Sequence, residues 1–360
     1  MKIFIYKLDE LEDVMDYFYS PPSEMNLYEL YKSQLTKKFE VVQNIDDCDL
    51  AFIPIDFTKL FFGQVKENKW TELYTLLLEK TGIEDTVPTS QPPTIGVDYK
   101  EDYIKFFWSN YVESFLNLSS GKPHFLLYSY VLFEISFEPI PREIFILSYE
   151  KEVSIHNTVQ TLRLGTHNRV IPIPYILNSN ESYFLDRIDS FKNETKEYDI
   201  SFIGSFKDKN RPLLSKFRNF LKFFGKRIHK TNTSNIQETI SKSKYNMVLR
   251  GDTPTRMSFY QCFAYNTVPI IFESEIKIYK ELSTDEFSIV DSCLVLPNKN
   301  DMSDKEYYNI IERILFKELL DEKNYLNKIK NHKIIFDNFN YFSDECLPIR
   351  NSLRKVISLS

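Results

Sequence analysis

Apolar positions along this chain alternate between short unbroken runs and stripes at helical spacing. Lys2-Ile3-Phe4-Ile5-Tyr6 has the length and composition of a buried strand. Residues 24–39 place Met25, Leu27, Tyr28, Leu30 and Tyr31 at helical spacing behind Pro21-Pro22-Ser23, with Ser23 suited to cap the helix. Leu50-Ala51-Phe52-Ile53-Pro54-Ile55 predicts a second strand with Asp56 at its carboxyl end. Helices follow at 69–80 and 101–117, separated by a loop over 84–100 that carries Pro88, Pro92, Pro93 and Gly96. Residues 125–128, 144–147 and 169–173 predict strands, and a polar linker runs from 178 to 198. The pattern then restarts. A strand over 199–203 enters Gly204, a basic helix covers 211–224, and a strand covers 245–250. A helix over 255–265, a strand over 268–272, helix over 304–330 and a helical tail from Tyr341 complete it.

Strands alternating with helices predict parallel sheets covered on both faces. The two rounds predict an α/β protein of two Rossmann-like, doubly wound domains facing across a cleft. Their expected limits are 1–178 and 195–335, with a tail at 336–360 packing back on the first domain. Ligands of such sheets bind beyond the carboxyl ends of the strands.

Composition narrows the class. Hydrophobic residues make up 42% and charged residues 27%, which excludes a mainly disordered chain. The best apolar run, Phe125 to Phe137, is interrupted by Glu134 and falls short of the ~18–20 residues of a membrane span. The opening residues read as a strand, with no signal-peptide core behind them. Cys48, Cys262, Cys293 and Cys346 are far apart, which predicts neither a disulfide framework nor a zinc site and suits a reducing, cytoplasmic compartment. The net charge of −6 argues against a nucleic-acid partner. Residues 207–230 depart from it, with nine Lys or Arg against Asp208 alone. That stretch is a solvated helix face or an anion site.

The chemistry concentrates in residues 245–272. A strand ends at Arg250, and Gly251 permits a turn with unusual backbone angles. Thr253 can cap a helix whose first position suits Pro254, and Asn266 tolerates a left-handed ending. Free backbone N–H groups then sit at the positive end of a helix dipole, which is a ready anion site. Arg250 and Arg256 add bidentate donors suited to a diphosphate, and could offset the charge on a departing one. The two arginines could equally pair with surface carboxylates.

Gly251-Asp252-Thr253, Thr255-Arg256-Met257-Ser258, Gln261, Cys262 and Val268-Pro269-Ile270 resemble the nucleotide-sugar site of exostosin-type (GT47) glycosyltransferases, most of all the plant xyloglucan galactosyltransferase branch. Further similarity lies in Lys2–Tyr6, Asp47–Pro54, Gly121–Phe125, Arg169–Tyr175 and Ser201–Ser205 with Asn210-Arg211-Pro212. The resemblance covers most of residues 2–275. It implies a GT-B architecture, acceptor binding by the first domain, donor binding by the second and inversion at the anomeric carbon. Carried over residue by residue, it assigns the diphosphate of a UDP-linked sugar to Arg250, Gly251, Asp252, Thr253, Thr255, Arg256 and Ser258. Gln261 stands where the family has a ribose-binding acid, and its amide can still serve a hydroxyl. Gly204, Ser205 and Arg211 complete the donor side. Lys122-Pro123 and Asn266 replace Arg-Asp and Gly of the family pattern.

An inverting transfer needs a base for the acceptor hydroxyl. His124, at the family's His position, and Asp56, at a strand's carboxyl end, are the candidates, and each also reads as structural. Asp47-Cys48-Asp49 has the form of a metal-binding motif but precedes a strand, so no metal or other cofactor is expected. Phe106, Phe107, Trp108 and Tyr111 suit either a sugar wall or the core. Expected partners are a nucleotide-sugar donor and a glycan acceptor. A non-catalytic glycan- or nucleotide-binding protein of the same fold is the rival, and a polyanion-binding module using 207–230 is a third possibility.

Overall fold

The computed structural model describes residues 1–19, 27–57, 59, 66–81, 107–128, 140–141, 143–149, 152–155, 158–161, 170–174, 186, 188, 194–203, 228–231, 236–248, 257–284 and 287–360. The chain divides into two compact units, Met1–Ser179 with Tyr341–Ser360, and Asn180–Asn340. Both are parallel α/β structures.

The first unit is built on strands β1 (Lys2–Ile5), β2 (Glu40–Val42), β3 (Leu50–Phe52), β4 (His124–Tyr128), β5 (Phe145–Ser148) and β8 (Val170–Pro172), in the order β2-β1-β3-β4-β5-β8. All pairs are parallel, with Phe4 level with Ala51 and Ala51 level with His124. A separate antiparallel ribbon joins β6 (Glu152–Ile155) to β7 (Thr158–Thr161). Side chains alternate across a strand, so each strand feeds two cores. Ile3, Leu50, Phe52, Phe125 and Leu127 pack on one face with Leu27, Leu30, Tyr31 and Leu35 of α2 (Leu27–Lys38). Phe4, Ala51, Leu126 and Ile146 pack on the other with Leu11, Val14 and Met15 of α1 (Asp9–Met15). Phe107, Trp108 and Tyr111 are buried in this second core, and Phe106 lies outside the described residues. Helix α3 (Trp70–Thr81) belongs to the same unit.

The C-terminal helix of the chain also belongs to the first unit. Helix α10 (Leu347–Leu359) lays Ile349, Leu353 and Val356 against the α2 face of the sheet. Its Ser352 hydroxyl bonds to the Tyr31 hydroxyl, and Tyr341 donates to the Pro174 carbonyl at 2.7 Å.

The second unit carries β9 (Tyr198–Ile203), β10 (Ile228–Thr231), β11 (Ser243–Met247), β12 (Val268–Phe272) and β13 (Leu294–Leu296), all parallel, in the order β10-β9-β11-β12-β13. Ile200, Phe202, Tyr245, Met247, Val268 and Ile270 pack with Tyr307, Ile311 and Leu315 of α7 (Asp304–Leu320) and Tyr325 of α8 (Glu322–Ile329). The alternate residues Ser201 and Asn246 face the side of α5 (Met257–Ala264), where Asn246 stands beside Cys262. Helices α4 (Ile236–Ser241), α6 (Ile276–Lys280) and α9 (His332–Asp337) complete the unit. All four cysteines are free and buried. No helix among the described residues is long and apolar enough to cross a membrane.

Several elements differ from expectation. The helix expected over 304–330 is two, because Asp321 leaves helical geometry at φ −98° and ψ 84° and caps the second with its side chain on the Asn324 N–H. The strand expected at 245–250 is Ser243–Met247, since Ser243 already pairs with Tyr198. The helix expected over 101–117 continues to Tyr111 among the described residues and then yields to two 3₁₀ turns, the second ended by Gly121 at φ 69°. The Ser23 cap, the 84–100 loop and the 211–224 helix lie outside the described residues.

Candidate functional site

On the expected donor side, β11 is a central strand, flanked by β9 and β12. The Val248 N–H still donates to Ile270 O at 3.0 Å, so the ladder runs one residue past the strand. Helix α5 begins at Met257. Arg250, Gly251, Asp252, Thr253, Thr255 and Arg256 fall between them, and they lie outside the described residues, as do Gly204, Ser205 and Arg211. Ser258 and Gln261 are described, and both stand on α5. Ser258 is half-buried, and its carbonyl accepts the Cys262 thiol at 3.1 Å. Gln261 is only 4% exposed, and its Oε1 has no hydrogen-bond partner among the described residues. A buried acceptor left unmatched costs about 1–3 kcal/mol.

The far end of α5 is fixed by chemistry that the sequence only partly announced. Asn266 takes the left-handed conformation at φ 52°, and the Thr267 N–H returns to Cys262 O at 2.9 Å, closing a Schellman-type cap. Lys196 then clamps this corner. Its Nζ donates to Ser241 O at 2.8 Å, Tyr265 O at 2.7 Å and Thr267 Oγ1 at 3.0 Å. Ser241 ends α4 and Tyr265 follows α5, so one cation answers the carboxyl ends of two helices. Burial pushes its pKa down to about 8, and the charge is held by these three acceptors. Nothing in the polar stretch around residue 196 distinguishes this lysine from a surface one.

In the first unit, His124 is 2% exposed and opens β4. Its Nδ1 lies 2.7 Å from Lys122 O, and its Nε2 lies 2.7 Å from Tyr6 Oη. A carbonyl only accepts, so Nδ1 is assigned the proton and Nε2 accepts from the Tyr6 hydroxyl. That hydroxyl in turn accepts the Asn117 N–H at 3.0 Å. Burial lowers the pKa of His124 and favours the neutral ring. With both nitrogens engaged inside the fold, His124 has no lone pair to offer an acceptor hydroxyl in this arrangement. Asp56 is 5% exposed and follows the carboxyl end of β3. Its Oδ1 accepts the Lys59 N–H at 3.0 Å. The two candidate bases therefore stand at different levels of the sheet, His124 level with Ala51 within β3 and Asp56 four residues past Phe52. The structure does not bring them together.

Asp49 accepts the Lys2 N–H at 2.7 Å, so the acids of Asp47-Cys48-Asp49 lead into β3. No group of three His, Cys, Asp or Glu is placed to hold a metal ion among the described residues.

A cleft of about 730 Å³ opens along β1 and β2 of the first unit. Phe4, Tyr6, Val42 and Ile45 contribute its apolar surface, and Lys7, Asp9, Glu12, Gln43 and Asn117 its polar surface, with Phe115 on its flank. Tyr6, Lys7 and Gln43 come just past the carboxyl ends of their strands. The sequence pattern gave no sign of this cleft, because its parts are separated by up to about a hundred residues.

No protein-family model matches the chain, and no curated protein matches it in sequence. Its fold is similar to a chain of the GtfA/B complex (7% identity, 72% of this chain, TM-score 0.40), of whose length it spans 61%. It is also similar to the Anabaena protein HepE in complex with UDP (10% identity, 100% of this chain and 99% of that one, TM-score 0.41). A third likeness is to sucrose-phosphate synthase from Thermosynechococcus elongatus (9% identity, 100% of both chains, TM-score 0.44). Likenesses this distant carry no functional argument.

Proposed function

We propose that this protein is a metal-independent, inverting glycosyltransferase of GT-B architecture and exostosin type that moves a sugar from a UDP-linked donor to a glycan hydroxyl. The observation that carries the proposal is the setting of the Gly251–Arg256 segment. It joins a central parallel strand, β11, at its carboxyl end to the start of α5. Anionic ligands of parallel α/β sheets bind in that setting. Arg250, Arg256 and the backbone N–H groups of the turn take the diphosphate, with Asp252, Thr253, Thr255 and Ser258 around them, and Gly204, Ser205 and Arg211 complete the pocket. Gln261 offers its buried Oε1 to a ribose hydroxyl, which supplies the donor that this oxygen lacks among the described residues.

The first unit supplies the base. Asp56 is favoured over His124, because it follows a strand's carboxyl end, where ligands of parallel α/β sheets bind. It takes the proton of the acceptor hydroxyl as the oxygen attacks the anomeric carbon. The bond from that carbon to the diphosphate breaks, and the arginines stabilise the released charge. His124 then serves as a positioning residue beneath Tyr6.

Arg256→Ala tests the assignment. Sugar transfer and slow donor hydrolysis should both be lost. A variant that retains wild-type rates of both refutes it. Gln261 in the place of an acid favours a second reading, a protein that binds the nucleotide sugar without turnover. Donor binding by calorimetry with no released UDP over hours would establish that reading.

A further inference from the structure

We infer that the protein self-associates through the outer edge of β2, which pairs antiparallel with β2 of a second copy across a two-fold axis. This inference is independent of the glycosyltransferase proposal. β2 is the last strand on one side of the first sheet, and no strand covers its outer side among the described residues. An edge strand presents unpaired backbone N–H and C=O groups, which are a template for another strand. Here the edge is open. Glu40 and Val41 are exposed, Val41 by 37%, and no proline interrupts the stretch.

Charge identifies the occupant. Lys37 and Lys38 end α2 just before the strand, and Asp46 and Asp47 lie in the 3₁₀ turn just after it. Lys37, Asp46 and Asp47 are exposed, and Lys38 is half-buried. Lys38 reaches Asp344 of its own chain only at 3.8 Å, and that carboxylate is fully exposed, so the contact contributes little. One copy thus carries positive charge at the amino end of its edge strand and negative charge at the carboxyl end. A two-fold interface must be self-complementary, and antiparallel pairing sets each end against the opposite end of the second copy. The register follows from the same charges. With Val42 opposite Val42, Lys37 faces Asp47, Lys38 faces Asp46 and Glu40 faces the amide of Asn44. Centring on Val41 leaves Lys37 against Ile45 and Lys38 against Asn44, and centring on Glu40 sets two carboxylates face to face. A partner of uniform charge would gain at one end and lose at the other, so a second copy is the better match. The strand is short and its ion pairs are exposed, so the dimer is a transient one.

The test is sedimentation velocity on the full chain at micromolar to millimolar concentrations. Wild type should dimerise reversibly. Its association constant should fall about tenfold between roughly 0.1 M and 1 M salt, as the screening length drops from ~10 Å to ~3 Å. Lys37→Glu with Lys38→Glu makes both ends acidic, and Asp46→Lys with Asp47→Lys makes both ends basic. Each variant alone should stay monomeric, because every attraction has become a repulsion. An equimolar mixture of the two should dimerise as wild type does, since each pair is again of opposite sign. Circular dichroism melts check that the variants are folded, as substitution at these surface positions should leave them. Wild type that stays monomeric at millimolar concentration, folded variants that associate as wild type does, or a mixture that fails to associate would each overturn the inference.

Discussion

Lys196→Met removes one charge from the corner where α4 and α5 end, and the structure sets the size of the effect. Three acceptors lose their donor: the carbonyls of Ser241 and Tyr265 and the hydroxyl of Thr267. Hydrogen bonds to a charged group contribute roughly 1.5–3 kcal/mol each. Burial holds the folded pKa at about 8, below the ordinary 10.5, yet still above 7, so at neutral pH the ammonium is the form that makes these bonds. Leaving the buried acceptors without their donor should cost the variant about 2–4 kcal/mol at pH 7. The pH dependence is more distinctive. Between pH 8 and 10.5 the unfolded chain still holds the lysine proton while the folded protein has released it, so this group's contribution to stability rises with pH across that window. The advantage of wild type over the Met variant should therefore widen by about 3 kcal/mol from pH 8 to 10.5. Cys262, pushed up to about 12 by burial, and the other buried thiols work in the opposite direction. Comparing the two proteins at each pH removes most of their effect. The assay is urea unfolding followed by far-ultraviolet circular dichroism, because Trp70 and Trp108 both report on the first unit and Lys196 lies in the second. Equal stability of the two proteins at pH 7, or a gap that narrows as pH rises, would refute the reasoning.

Three further outcomes are expected. Asp56→Asn should lower kcat by about 10²–10⁴-fold while its amide oxygen still accepts the Lys59 N–H; steady-state kinetics check it. His332→Phe should keep the ring packing on Phe263 and flatten the loss of stability on acidification. The wild-type His332 is held down to about 4 by burial, so from pH 6.5 to 4 the unfolded chain gains a proton that the folded one refuses, a loss of about 3 kcal/mol. Asn266→Ala should cost about 1 kcal/mol in denaturant unfolding and Asn266→Gly nothing, because only the alanine is strained at φ 52°.

What the sequence could express was set by what is local. His124-Phe125-Leu126-Leu127-Tyr128 and Val268-Pro269-Ile270-Ile271-Phe272 are buried on both faces, so their apolar runs marked them as strands of a parallel sheet. Asn266 marked the end of α5 through a conformational preference of its own. The edge strand Glu40-Val41-Val42 escaped notice because three residues with a charge among them carry no period, and Leu294-Val295-Leu296 was too short to stand out. Chemistry that depends on distant partners was hidden altogether. That His124 turns its Nε2 to Tyr6 is a pairing across 118 positions, and it changes the histidine from an apparent base into a filled one. Lys196 gathers three acceptors from 45 to 71 residues away. The segment proposed to take the diphosphate is the converse case, because its residues are contiguous and the proposal could be made from the sequence itself.

The placement of α10 has a consequence for biosynthesis. A nascent chain that has emerged only as far as Ser179 contains every strand of the first sheet, yet Ile349, Leu353 and Val356, which cover part of it, are still unmade. At roughly 5–20 residues per second a ribosome needs some 10–40 s more to deliver them. During that interval Leu127, Leu147 and Ile171 are missing their cover, while the second unit, continuous in sequence, can close as soon as it appears. The later half of this protein is thus free to finish folding before the earlier half is complete.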